Sequence, residues 1–422
     1  MVNIQHIAHE MQNTSDLLHL INAIKKDELG DKYHAYTMKQ MMWFANPDHV
    51  FHRYYQFEIP KKSGGTRQIN APWSRSYMHL LRYVAMILQS VYAPSAHTMG
   101  FVPGRSIVSN AQAHVGMYYV FNIDLKDFFP SIGRQRIAAR LQVKPFCFPW
   151  KVAQSIAGIC TMRDQQRYVL PQGSPASPVL TNLMCDKLDF LLSGVAKRFG
   201  LRYTRYADDI TFSSMHNVYQ EDSVFRKELE RIITEQGFTI NPKKTRLNII
   251  GARQEVTGLT VNNKVNVSRR FIKDLRGLLY IWEKYGYAAS KPRVVEGKIA
   301  FLKMVKGASD PTYLKLQERY NKLMHRCHKN QPLHTDVLYR ETMTVAAFEQ
   351  KFHTTLSLVG DPARLARFEV DDKNTWVLIK HTADMTLPKE QLCISYCELK
   401  DRSDHFWLIH EPYQSHLFKK PD

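Results

Sequence analysis

Asp208 and Asp209 stand side by side between two runs rich in β-branched and aromatic residues, Leu201–Arg205 and Ile210–Ser214. That pattern predicts a hairpin with both acids at its tip, because Asp tolerates tight turns and left-handed dihedrals. Adjacent carboxylates repel one another unless they share a cation, and such hard oxygen donors hold Mg2+ for phosphoryl transfer. A third acid, Asp124, ends the apolar run Val120-Phe-Asn-Ile-Asp124. A carboxylate there is costly to bury unless it meets a cation. Asp124, Asp208 and Asp209 are therefore expected to hold two Mg2+ ions, one activating a hydroxyl and one steadying leaving pyrophosphate. Asp127, three residues past Asp124, has left the strand and is not expected to be a ligand. A bare Asp-Asp pair also suits a solvated turn; its surroundings decide between the two.

The elements that must carry these acids come from the rest of the chain. Its 422 residues suffice for two or three domains with their own cores. With 44% hydrophobic and 23% charged residues, it reads as globular rather than disordered. No apolar run is long enough to span a bilayer, and Met1-Val-Asn-Ile-Gln-His lacks a basic segment followed by an apolar core, so no secretion signal is expected. Six scattered cysteines form no disulfide framework, so a reducing cytoplasm is expected. The net charge is +19, and it is unevenly spread. Residues 1–329 carry 47 Lys and Arg against 25 Asp and Glu, whereas residues 330–422 carry 11 against 14. The surplus predicts a polyanionic partner, RNA or DNA, for the first part only.

Interleaved helical and alternating patterns predict an α+β chain. Helical spacing marks residues 1–50, 76–92, Ser177–Phe199 as one long helix, and Val224–Gln236. It also marks two basic amphipathic helices, Phe271–Tyr285 and Thr312–His328. Residues 55–72 read as a hairpin, and short strands are expected at Arg246–Ile250 and Glu255–Val261. The charge changes sign near Lys329–Pro332, predicting a boundary. Beyond it a helix is expected at Val345–Leu358 and strands at Thr375–His381, Gln391–Cys397 and His405–His410. Cys393 and Cys397 fall on one face of such a strand. Even with His381, His405 and His410 nearby they suit a core better than zinc, for want of a second Cys pair.

Over roughly residues 50–325 the chain resembles reverse transcriptases. The resemblance implies a right-hand polymerase fold with fingers, an antiparallel palm sheet and a thumb. It divides the chain into a helical segment 1–50, fingers and palm 51–262, a basic thumb 263–329 and a small α+β extension 330–422. Phe57–Ile69 resembles a fingers motif in which Arg67, helped by Lys61 or Lys62, contacts the incoming dNTP. Leu170–Pro178 resembles the loop and helix start that cradle the nucleotide. There Gln172 would orient sugar or base, and Gly173 would let the backbone approach. Gly237–Thr245 resembles the motif whose lysine, Lys243 or else Lys244, would protonate pyrophosphate; Lys243 is preferred. Phe129, with Phe128 as the alternative, matches the aromatic that excludes a 2′-hydroxyl.

Asn110-Ala-Gln-Ala-His114 and Val256-Thr257-Gly258 resemble elements of the retron branch. That branch implies an enzyme that binds its own structured noncoding RNA and primes from an internal guanosine 2′-hydroxyl. It makes branched multicopy single-stranded DNA and acts with an effector protein against phage. Asn110, His114, Arg269, Arg270, Arg319, Lys322 and Arg326 are the expected RNA contacts. The acidic extension is expected to meet protein, an effector or another copy. A group II intron-type or other defence-associated reverse transcriptase, and a non-catalytic RNA-binding scaffold, are the rival readings.

Overall fold

Capping residues set the first helices. Ile4–Glu10 (α1) precedes Thr14–Leu29 (α2), where Asn13 and Asp16 cap each other's backbone, and Met38–Ala45 (α3), capped likewise by Thr37 and Gln40. Tyr54–Pro60 (β1) and Thr66–Pro72 (β2) pair as an antiparallel hairpin. Arg75–Val91 (α4) starts on a Ser74 cap and buries Tyr77, Leu80, Leu81, Val84, Ile87 and Leu88 at helical spacing. Ile107–Gln112 (α5), Tyr119–Asp124 (β3), Arg134–Leu141 (α6) and Trp150–Cys160 (α7) follow. A small hairpin, Met162–Asp164 (β4) with Arg167–Val169 (β5), leads to Ser177–Met184 (α8) and Asp186–Arg198 (α9). Then come Arg202–Tyr206 (β6), Asp209–Ser214 (β7), Val224–Glu235 (α10), Arg246–Ile249 (β8), and the hairpin Glu255–Val256 (β9) with Leu259–Thr260 (β10).

This computed structural model describes residues 2–49, 53–61, 64–285, 292–330, 337–352, 356–359, 367–370, 375–378, 393–399 and 402–407. They belong to two units, Met1–Ser268 and Arg269–Asp422. In the first, β6, β7, β3 and β8 form an antiparallel sheet in that order. Register divides its side chains between two faces. Phe121 lies opposite Phe212, and Phe212 opposite Tyr203; this face meets Phe225 of α10, 5.1 Å between the Phe212 and Phe225 rings. The other face carries Asp124 opposite Asp209 and Asn122 opposite Thr211.

The base of the first hairpin is fixed by Arg53, which is wholly buried. Its guanidinium donates to the carbonyls of Phe44 (2.6 Å), Gly158 (3.2 Å) and Thr161 (2.7 Å), at the ends of α3 and α7. Tyr77 donates to the Ile159 carbonyl at 2.6 Å. Last-turn carbonyls have no partner within their own helix, so these side chains satisfy them. Here α3 and α7 touch backbone to backbone: a Cβ on Gly158 would sit 2.1 Å from the Ala45 carbonyl oxygen.

The second unit opens with Arg269–Tyr285 (α11), Pro292–Lys306 (α12) and Pro311–Asn330 (α13). Leu275, Leu279 and Trp282 pack with Val295, Ile299, Leu302, Tyr313, Leu316 and Leu323 as a three-helix core. Val337–Thr344 (β11), Cys393–Leu399 (β15) and Arg402–Trp407 (β16) form one sheet in the order β11-β15-β16. Leu356–Val359 (β12), Arg367–Val370 (β13) and Thr375–Leu378 (β14) form another, with Val345–Phe352 (α14) between β11 and β12.

Several expectations are corrected. Ser177–Phe199 is two helices, because Cys185 at ψ −1° breaks the run; the first half packs on α4 and the second on β6 and α10. The left-handed residue of the acidic turn is Ala207 (φ 56°), not an aspartate. Helix α12 lay between the two helices expected there. Val345–Leu358 is a short helix followed by a strand, and β11 and β13 were not expected. Among the described residues no three His, Cys, Asp or Glu side chains form a group able to hold a metal, and no helix is long and apolar enough to cross a membrane. His381 and His410 lie outside the described residues.

Candidate active site

Antiparallel pairing brings the acids together from distant sequence. Residues directly opposite on such strands have Cβ atoms about 4.5–5.5 Å apart, and Asp124 is the register partner of Asp209. The turn between β6 and β7 is held on both sides. Leu125 N–H donates to the Asp208 carbonyl at 3.0 Å. Gly100 packs so closely that a Cβ there would come 2.6 Å from the Ala207 nitrogen.

Asp124 is only 6% exposed, and its carboxylate is held by Lys244 Nζ (2.7 Å) and Asn241 Nδ2 (3.1 Å). Burial, then the charge of Asp124, holds Asp208 above the ordinary carboxylate range, against a backbone N–H, Lys244 and Arg67. Asp209 keeps part of its surface in solvent. Even so, loss of hydration together with Asp208 and Asp124 pushes it up to about 6, against Lys244 and Arg246. The three carboxylates feel one another's charge without closing into a ready metal cage, since Asp124 is turned to Lys244.

This donor set suits Mg2+: hard oxygens only, with neighbouring negative charge that adds to burial in raising Asp208 and Asp209. A pH dependence follows. For a carboxylate raised in the folded state, the stabilising contribution is present at low pH and lost as pH rises through the folded value, here about 6 for Asp209. Mg2+ binding should relieve that loss. It is expected to raise the melting temperature clearly at about pH 7.5 and hardly at about pH 5. Equal shifts at both values, read by calorimetry, would remove these carboxylates from metal binding.

The residues expected to meet a nucleotide lie on or beside several elements of the first unit. Arg67 is exposed on β2, and its charge reaches Asp208. Lys62 lies outside the described residues. Gly173 (φ +119°) is required by protein: a Cβ would meet the Asn70 carbonyl at 2.8 Å and Ile69 at 2.9 Å. Half-buried Gln172 accepts from Asn70 N–H through its carbonyl, 2.8 Å, so the loop is stitched to the first hairpin. Phe128 is buried against Phe238, whereas Phe129 is half-buried, its ring 5.5 Å from that of Phe128. Lys244 pairs with Asp124 at 2.7 Å, whereas Lys243 is exposed beside it; both lysines keep exposed surface.

The expected RNA contacts divide. Asn110 and His114 are buried, and assigning them to RNA is corrected. His114 bridges Ser213 (2.7 Å) and Thr204 (2.8 Å), tying the end of α5 to β6 and β7; burial, then Arg202, lowers its pKa to about 3, so it stays neutral. Asn110 Nδ2 donates to Thr257 Oγ1 at 3.4 Å, so the two retron-like elements meet. In the second unit Arg269 and Arg270 are exposed, and Arg270 is 4.0 Å from Asp274. Arg319, expected to contact RNA, clamps α13 to α11 through both carboxylate oxygens of Glu283. Lys322 pairs with Glu318 at 2.7 Å. The Arg326 side chain lies outside the described residues. Sequence reasoning missed Asn241, Arg246 and a buried Arg205–Asp189 pair beneath the turn. The pair's only sequence signal was a charged residue set within each of two largely apolar runs, one of which also holds Arg202.

Comparison with known proteins agrees with this layout. A family model described as reverse transcriptase (RNA-dependent DNA polymerase) matches residues 59–266. The Retron Mx65 and Mx162 reverse transcriptases of Myxococcus xanthus are 37% and 31% identical, over 60% and 66% of this chain. The matches span 61% and 63% of those relatives' own length. The Retron Ec86 reverse transcriptase of Escherichia coli is 33% identical over 64% of this chain and 83% of its own length. With the acids paired across β3 and β7 and that breadth of likeness, the chain belongs to the retron reverse transcriptases.

Proposed function

We propose that the chain is an RNA-directed DNA polymerase that copies part of a bound structured noncoding RNA into branched single-stranded DNA, priming from an internal guanosine 2′-hydroxyl. The observation that carries the catalytic part is the pairing of Asp124 with Asp209, beside Asp208 and within reach of the Arg67 and Lys244 charges. Asp124, Asp208 and Asp209 would hold two Mg2+ ions, which supply Lewis-acid stabilisation to attacking and leaving oxygens. Arg67 meets the dNTP phosphates, and the Gln172–Gly173 loop orients the nucleotide. Lys243, or Lys244 beside Asp124, would donate the proton to pyrophosphate. In this reading the first hairpin belongs to the fingers, the four-stranded sheet to the palm and α11–α13 to the thumb, within the divisions 1–50, 51–262, 263–329 and 330–422. Retron membership supports a cytoplasmic antiphage role with an effector, which residues 330–422 would contact.

The deciding experiment is to sequence nucleic acid that copurifies with the protein expressed from its native locus. A branched RNA–DNA hybrid is expected. Unbranched complementary DNA would replace retron priming with an intron-type reaction, and RNA without DNA would favour a scaffold.

The half-buried Phe129 gives a second expectation. Phe129→Ala should open room for a 2′-hydroxyl and raise the ratio of NTP to dNTP incorporation by about 10-fold or more, the scale of a small steric filter. An unchanged ratio in competitive incorporation would move the filter elsewhere.

A further inference from the structure

Arg205 and Asp189 have no exposed side-chain surface, and the pair is saturated with hydrogen bonds. Arg205 Nε and Nη2 each meet an Asp189 carboxylate oxygen at 2.7 Å. Tyr203 and Thr98 hydroxyls donate to the same carboxylate at 2.6 and 2.7 Å. Arg205 Nη2 also lies 3.5 Å from Thr98 Oγ1, and the other Arg205 contacts reach two places. Nη1 donates to the Ala207 carbonyl, 3.1 Å, inside the acidic turn, and Nη1 and Nη2 lie 3.3 Å from Asn182 Oδ1.

Asn182 belongs to α8, whose first residue, Ser177, donates to the Pro171 carbonyl at 2.7 Å, next to Gln172 and Gly173. Asn182 also donates to the Gly100 carbonyl (2.9 Å), and Gly100 bears on Ala207 from the other side. One helix is thus anchored at its start to the nucleotide loop and, a turn and a half later, to the turn that carries Asp208 and Asp209.

A buried ion pair is a poor stabiliser compared with apolar packing. What this one supplies is geometry, through a rigid planar fork of donors that lysine lacks. We propose that Arg205 is a positioning residue that couples the nucleotide loop, through α8 and Asn182, to the carboxylate-bearing turn. It thereby sets how readily the carboxylates take up Mg2+ once a nucleotide is seated. The proposal rests on the carboxylate reading given above.

The test compares Arg205→Lys, which keeps the charge opposite Asp189, with Gly100→Ala, which presses on the same turn without touching the pair. In folded protein Arg205→Lys should lower kcat for templated dNTP addition by about 10–100-fold, the usual effect of a group behind a metal ligand. The Mg2+ concentration for half-maximal rate should rise several-fold, while dNTP KM and RNA retention stay within about twofold. Gly100→Ala should give the same signature. A merely structural role would lower the melting temperature and leave kcat and Mg2+ demand unchanged below it. That outcome in folded Arg205→Lys, or in folded Gly100→Ala should the first variant not fold, overturns the proposal. Asp209→Ala is run alongside. If it still polymerises, the carboxylate reading itself fails; if it is inactive while Arg205→Lys is normal, only the coupling fails.

Discussion

Asp209→Ala is expected to abolish DNA synthesis, with a loss beyond the ~100-fold typical of residues behind the metal ligands, while RNA retention stays nearly intact. The carboxylate sits opposite Asp124 on the sheet face turned away from the Phe225 layer, so its removal opens no core cavity. The charge it removes is one the fold resists, because burial and two neighbouring acids raise its pKa to about 6. Asp209→Asn should therefore melt at or above the parent temperature near pH 7.5 while remaining inactive. That combination separates a metal ligand from a folding residue. Primer extension with Mg2+ alongside a thermal melt reads both, and near-normal extension by either variant would sink the assignment.

Arg53→Met is expected to cost about 3–5 kcal/mol of folding stability, as roughly 1–3 kcal/mol attends each buried polar group left unpaired. Three carbonyls at the ends of α3 and α7 would lose this donor together, and methionine fills the space without supplying a proton. Set against a total of about 5–15 kcal/mol for a folded domain, the loss decides whether the protein accumulates. Urea titration measures it. A change under about 1 kcal/mol would show that water or rearranged backbone serves those carbonyls equally well.

The sequence made the chemistry more legible than the supports beneath it. Asp124, Asp208 and Asp209 could be found because acids are conspicuous beside apolar strand residues, and the pairing of Asp124 with Asp209 follows once both strands are recognised. The first hairpin was legible from Gly64 and Gly65 between two alternating runs. Arg53, Arg205 and His114 were opaque for a common reason. Each is a polar residue whose partners lie at sequence separations such as 90 and 99 for His114, and no local pattern records such a meeting. The Lys244 contact was hidden similarly: adjacent side chains point differently, and only the fold about Asn241 decides that Lys244 is the one that reaches Asp124. In the second unit the basic helices were visible, but charge alone could not show that Arg319 answers Glu283 on another helix.

The register of β3 against β7 has a consequence for how this gene can vary. Side chains alternate with a period of two, so losing one codon inside Tyr119–Asp124 or Asp209–Ser214 would exchange the two faces and send an acid toward the aromatic layer. Apart from the two acids themselves, those strand positions should accept conservative letter changes yet reject in-frame single-codon insertions and deletions. Length variation among descendants should instead collect in connections such as that between β7 and α10, where no pairing is displaced.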